Sequence, residues 1–238
     1  LQSERDGARR IEIAVAEIVG IPTYVGAMVD RMLYGLCGMR REAGAKITID
    51  TRDVSRASLK QRIDAGICLI PGDAVAEGLI PAFSIEDNIL LPNLARFRTL
   101  DLVRRGKLRE TVETLIRELD IRPANPKAPV MSLSGGNRQK VVIAKWLAAG
   151  ARVMLMNDPT KAVDVGAKAE IYRLLGNVVS DGGAILLVSS DMDELIGLSD
   201  RILVLRGSTL IEEFPQRPVS KESLMAAVVG SRQSEGAA

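Results

Sequence analysis

Two stretches of the chain hold residues whose types and spacing could do chemistry on a phosphate. In SLSGGNRQKVVIAKWL, residues 132–147, a Ser-Gly-Gly tripeptide opens a long amphipathic helical pattern. The first N–H groups of a helix have no partner within it and lie at the positive end of its dipole, and glycine lets an anion approach closely. Alone, that arrangement fits an anion site and also an ordinary loop with its N-cap. In VMLMNDPTKAVDVG, residues 153–166, an apolar strand runs into a polar loop through Asn157 and Asp158. Phosphoryl-transfer sites place a metal-binding carboxylate, and a residue that positions the attacking group, around such a strand end. Here the first of the two positions is a neutral amide and the second is the shorter acid.

Composition removes other chemistries. The chain contains no histidine, so histidine acid–base catalysis, Ser-His-Asp triads and His-ligated zinc are excluded, and no metal site is expected from protein side chains alone. Cys37 and Cys68 stand apart with no CxxC spacing, as two reduced core thiols do. The net charge of +2 and the 3% aromatic content give no reason to expect nucleic acid. The basic residues Arg96, Arg98, Arg104, Arg105, Lys107 and Arg109 are interleaved with Asp101, Glu110, Glu113 and Glu118, which is the composition of a solvated helix face. No apolar run approaches the roughly 18–20 residues that span a bilayer, and no basic segment followed by an apolar one opens the chain as a secretion signal would.

The elements that must position these residues alternate. Strands are expected over 11–21, 46–50, 66–71, 152–156, 184–190 and 201–207, with helices between them, including those over 27–36, 55–64 and 167–179. From about 84 to 150 the pattern turns helical: IEDNILLPNL, then Leu102 to Leu119, then a break at Pro123, Pro126 and Pro129, then the helix from Gly135 to Ala149. Strand–helix alternation with short connections implies an α/β fold with a mainly parallel sheet covered on both faces. The expected organisation is a single domain over 11–230 with an inserted helical subdomain at about 84–150. Residues 1–10 and 231–238 are expected to be flexible ends.

The order LSGGNRQK, helix, VMLMNDPT, VDVG resembles the ATP-binding cassette (ABC) family, and the wording NRQKVVIAKWLA followed by DPTKAVDVGAKAEIYRLL is similar to the second cassette of bacterial monosaccharide importers of the ribose, galactose and xylose group. The resemblance runs from about Ile11 to Gly230. It implies a P-loop NTPase-like fold of the ABC ATPase type, with Ser134, Gly135, Gly136 and Asn137 as the signature, the strand ending at Asn157 as Walker B, and Asp164 as the D-loop residue.

The same alignment exposes departures. A Walker A loop needs the pattern G-x-x-x-x-G-K-S/T, in which backbone N–H groups and the lysine hold the phosphates and the hydroxyl binds Mg2+. Its place here is TYVGAMVD, from Thr23 to Asp30. Gly26 remains, but Met28 takes the place of the second glycine, Val29 of the lysine and Asp30 of the hydroxyl. Charge-assisted hydrogen bonds are worth roughly 1.5–3 kcal/mol each, so two such losses would weaken binding by about 3–6 kcal/mol, on the order of 10²–10⁴. Gly72 takes the Q-loop position, Asn157 that of the Walker B Asp, Asp158 that of the catalytic Glu, and Ser190 that of the switch His. A reach shorter by about 1 Å can cost roughly a hundredfold in rate.

In the family, cassettes resemble one another in pairing head to tail, each ATP lying between the Walker loops of one and the signature of the other. The resemblance therefore implies a degenerate cassette whose LSGGN signature completes an ATP and Mg2+ site held by a second cassette. Permease membrane subunits and, indirectly, a sugar-binding protein would be the other partners, at the cytoplasmic face of the bacterial inner membrane. It also implies a C-terminal fragment of a tandem two-cassette protein. Alternatives are a cassette that hydrolyses ATP weakly with Asp158 as base, a regulatory or scaffold cassette uncoupled from transport, and a nucleoside or lipoprotein-linked importer of related build.

Overall fold

Ile18–Pro22 (β1), Ile67–Ile70 (β4), Val153–Asn157 (β7), Ala184–Ser189 (β8) and Arg201–Arg206 (β9) become strands where apolar residues run almost unbroken, because both faces of a central strand are covered. With Thr209–Phe214 (β10) they make one sheet in the order β10-β9-β1-β8-β7-β4. β1 runs parallel to β8 and β9, and β7 parallel to β8, while β10 closes the edge antiparallel to β9. The computed structural model describes residues 11–23, 27–40, 46–92, 98–99, 102–103, 105–161, 163–206, 209–215 and 218–233.

Helices fill the intervals: Ala27–Cys37 (α1), Leu59–Asp64 (α2), Ile85–Leu90 (α3), Arg105–Glu118 (α4), Gly135–Ala148 (α5), Val165–Ser180 (α6), Met192–Leu198 (α7) and Lys221–Gln233 (α8). Short antiparallel pairs occupy Thr48–Ile49 (β2) with Arg52–Asp53 (β3), and Arg98–Thr99 (β5) with Leu102–Val103 (β6). Several elements are shorter than their sequence patterns. The strand expected from residue 11 begins at Ile18, after a turn in which Ala16 has φ +61°. The helix expected from Leu102 begins at Arg105, because the residues before it pair as a hairpin.

Contacts divide the chain into two units. The first holds 1–69, 152–158 and 178–238, and the second 70–151 and 159–177. The helical insertion expected over 84–150 lies within the second unit. In the first, Val19, Ile21, Val29, Leu33, Leu155 and Leu186 build a buried core against which α1 is laid. In the second, Ile85, Ile89, Val112, Ile116, Ile121 and Val141 are all almost fully buried, and α5 packs against α3 and α4.

Candidate functional site

In the first unit the sheet register brings three strand ends level. Pro22 of β1 pairs with Ser189 of β8, and Asn157 of β7 pairs with Val188 of β8. Open parallel sheets bind ligands beyond the carboxyl ends of their strands, and Thr23, Asn157, Asp158 and Ser190 lie there. Thr23 donates its N–H to Ser189 O at 3.0 Å, and Asp158 donates its N–H to Val188 O at 2.8 Å.

The polar groups at these ends are engaged with one another. Asn157 Nδ2 donates to Asp30 Oδ1 at 2.9 Å, across 127 residues of sequence. Asp158 Oδ1 accepts from both the N–H (2.6 Å) and the hydroxyl (2.9 Å) of Ser190. Asp158 has φ +45°, a left-handed conformation that Asp and Asn adopt more readily than most side chains. Val29 is 2% exposed and belongs to the apolar core with Leu33 and Cys37. Met28 lies in the first turn of α1; its side chain, and Gly26 altogether, lie outside the described residues. Among the described residues no group of three or more His, Cys, Asp or Glu could hold a metal ion. A cavity of about 590 Å³ in this unit is lined by Ile13, Met32, Leu36, Ile49, Leu186 and others, and none of the site residues named above touches it.

The second unit carries the Ser-Gly-Gly start of α5. Ser134 is the N-cap of α5, and its Oγ accepts from Asn137 N at 3.4 Å and from Asn137 Nδ2 at 3.0 Å. Asn137 Oδ1 accepts from the N–H of Arg122 at 2.8 Å, which fixes the amide's orientation. With both lone pairs of Ser134 Oγ engaged, its own O–H is left to donate outward. Gly136 is obligatory by contact: a Cβ there would meet the Cβ of Ala167 at 2.4 Å. Ala167 lies in the first turn of α6, whose start is tied to Asp164 by an N–H bond from Ala167 to Asp164 Oδ1 at 2.9 Å. Gly136, Ala167 and Asp164 are thus packed as one piece. Lys140, 2% exposed, reinforces it by reaching Glu170 of α6 at 2.7 Å and Asp120 O at 2.9 Å. Gly72 follows Pro71, whose carbonyl accepts from the buried Gln139 of α5 at 3.0 Å.

The sequence did not reveal Arg62 of α2. It is 4% exposed, and it donates to the carbonyls of Gly35 (2.6 Å) and Leu36 (2.8 Å) at the end of α1, and to Ser55 (2.9 Å) and Ala57 (3.2 Å). Burial lowers its pKa and raises that of the neighbouring Cys37 thiol. A buried arginine in a helix that reads as charged and exposed gives no signal in one sequence.

A mainly parallel sheet with its polar residues at the strand ends, and a helical unit that opens a 14-residue helix on Ser-Gly-Gly, define a nucleotide-binding cassette of the P-loop NTPase type. The chain belongs to the ABC transporter family, which matches residues 31–161. ATP with Mg2+ is the general ligand of such cassettes. The chain is similar to ribose import ATP-binding protein RbsA 2 of Streptomyces avermitilis, with 37% identity over 92% of this chain and 43% of that protein. It is also similar to ribose import ATP-binding protein RbsA of Cereibacter sphaeroides, with 38% identity over 93% of this chain and 44% of that protein. The chain thus spans less than half the length of these relatives. Among solved structures, the dimeric bacterial ABC transporter cassette MJ0796 shares the fold with a TM-score of 0.71 and 21% identity, over 88% of this chain and 89% of that one. Among the described residues no helix is long and apolar enough to cross a membrane.

Proposed function

We propose that this chain is a cassette of a sugar importer that lends its signature to the ATP held by a second cassette and holds none in its own phosphate site. The observation that carries this reading is Val29. It falls at the lysine position of the phosphate loop and is buried in the core of the first unit, with no amine to reach a phosphate. Asp30 and Asn157, at the hydroxyl and carboxylate positions, are hydrogen-bonded to each other, and Asp158 is held by Ser190. In this reading Mg2+ with ATP does not fit these residues, and no hydrolytic step falls to this chain.

The second unit supplies what a partner's nucleotide needs. Ser134 offers a hydroxyl proton, and the first N–H groups of α5 have no partner within the helix. Closure of the two cassettes around ATP would drive the permease subunits between access states, and hydrolysis in the partner's site would reset them. The similarity to ribose import proteins supports a carbohydrate cargo, with delivery by a sugar-binding protein. The greater length of those relatives supports a second cassette in the same polypeptide; in this reading the present chain is its C-terminal part, and the assembly lies at the cytoplasmic face of the bacterial inner membrane. The test is Ser134→Arg in the assembled protein. ATPase activity is expected to fall at least about a hundredfold while the domain stays folded by circular dichroism, because an arginine cannot fit against the partner's phosphates in closure. Undiminished turnover in that variant would remove the signature from the mechanism.

A further inference from the structure

The departures at Asp30 and Asn157 are reciprocal. The family pattern implies a hydroxyl on the helix and a carboxylate on the strand; this chain has a carboxylate on the helix and a neutral amide on the strand. One negative charge has moved across the site, and the number of carboxylates is unchanged. The two residues then meet, Asn157 Nδ2 donating to Asp30 Oδ1 at 2.9 Å, both partly buried. A carboxylate at 157 could not donate that bond and would repel Asp30 at that distance, so the amide suits the site only because the acid is there. Asp30 also lies in the first turn of α1, where the helix dipole favours negative charge. α1 packs on β7, and Val29 beside Asp30 is inserted in the core.

From this geometry we infer that Asp30 is a resident anion: held by Asn157, it takes the structural place that a bound phosphate and its metal would have between α1 and β7. The inference rests on the reading above for the equivalence of the two positions. It goes further in giving the altered residues a role of their own, since they complete the first unit without nucleotide and exclude a second anion from the head of α1. A bound ligand stabilises a fold only in proportion to its occupancy, whereas a resident carboxylate is always in place.

A double exchange tests this on the chain alone, with no nucleotide and no partner. Thermal unfolding is compared for the native chain, Asp30→Thr, Asn157→Asp and the combined exchange. Each kcal/mol is worth roughly 2–4 °C in a domain of this size, and a hydrogen bond to a charged group roughly 1.5–3 kcal/mol. Each single change is therefore expected to lower the midpoint by about 4–10 °C, Asn157→Asp the more. The combination is expected to lie above the sum of the two losses, because the repulsion is gone, but below the native chain, because nothing replaces the anion at the head of α1. If Asn157→Asp alone does not fold, recovery of folded protein on adding Asp30→Thr is the same result. A combined midpoint as low as the sum of the two single losses would overturn the inference. A further variant, Asp30→Asn, keeps shape and removes charge; its midpoint should fall at low ionic strength, and an unchanged midpoint would also overturn it. The outcome is independent of the Ser134→Arg assay, which reads the other unit, so either idea can fail while the other stands.

Discussion

In the first unit the polar groups at the strand ends face one another: Asp30 with Asn157, and Asp158 with Ser190. In the second, Ser134 Oγ accepts from the N–H and the amide of Asn137, and Ser134 itself is exposed at the start of α5. Both regions are rich in the residue types that bind phosphate, so composition does not separate them. What separates them is where the hydrogen-bonding capacity is used. Under the proposed function, the first site spends its hydrogen-bonding groups on one another, and the second keeps donors for a partner's nucleotide.

The contrast between the units can be disturbed most strongly at Arg62. Its guanidinium serves four carbonyls, two of them at the end of α1. Arg62→Met takes that donor from the carbonyls of Leu36, Ser55 and Ala57, while Gly35 keeps the N–H of Gly38, at roughly 1–3 kcal/mol for each unsatisfied group. Urea denaturation is expected to show a loss of about 3 kcal/mol or more; a loss under about 1 kcal/mol would mean that α1 does not depend on this clamp.

Next in size is a matched pair of glycines in the second unit. Gly136→Ala drives a Cβ to 2.4 Å from Ala167, an overpacking expected to cost about 1–3 kcal/mol. Under the proposed function it should also weaken ATPase activity of the assembly, by parting residues 134–137 from the start of α6. Gly176→Ala, in the exposed middle of α6 with nothing within 4 Å of the new carbon, should instead stabilise by about 0.5–1 kcal/mol. The same sign for both would show that α5 and α6 are not closely packed.

The smallest effect belongs to Asp120, which supports the loop behind the signature. Hydrogen bonds from Arg122 at 2.8 and 2.7 Å hold its carboxyl below the usual carboxylate range. A lowered folded pKa means that the pair's contribution is present above the ordinary carboxylate value and fades as pH falls through the lowered one. The group is fully exposed, so salt should reduce the effect further. Titration of this carboxyl by NMR should show its pKa rising toward the ordinary value in Arg122→Gln, while Lys140 and Arg173 still hold it down.

Much of this arrangement is legible in the sequence, for local reasons. The strand into Asn157 and the helix from Gly135 announce themselves by apolar runs and by a Ser-Gly-Gly start, and both stand where expected. The edge strand β10 gives little signal, because TLIEEF alternates weakly and pairs antiparallel to its neighbour. The hairpin before α4 matches helical composition, and only its cross-strand pairing distinguishes it from the helix that follows. Of the site, positions and residue types are legible, but partnerships are not. Asp30 and Asn157 are far apart in the chain, and each alone looks like a lost ligand; that they answer one another is visible only once β7 and α1 are folded together.

The most direct measurement is a calorimetric titration of this chain with Mg-ATP. No heat of binding is expected at millimolar nucleotide, since Val29 offers no amine and Asp30 already supplies the negative charge. Binding in the micromolar range would contradict the self-satisfied first unit, and would return Asp158 to consideration as a working base.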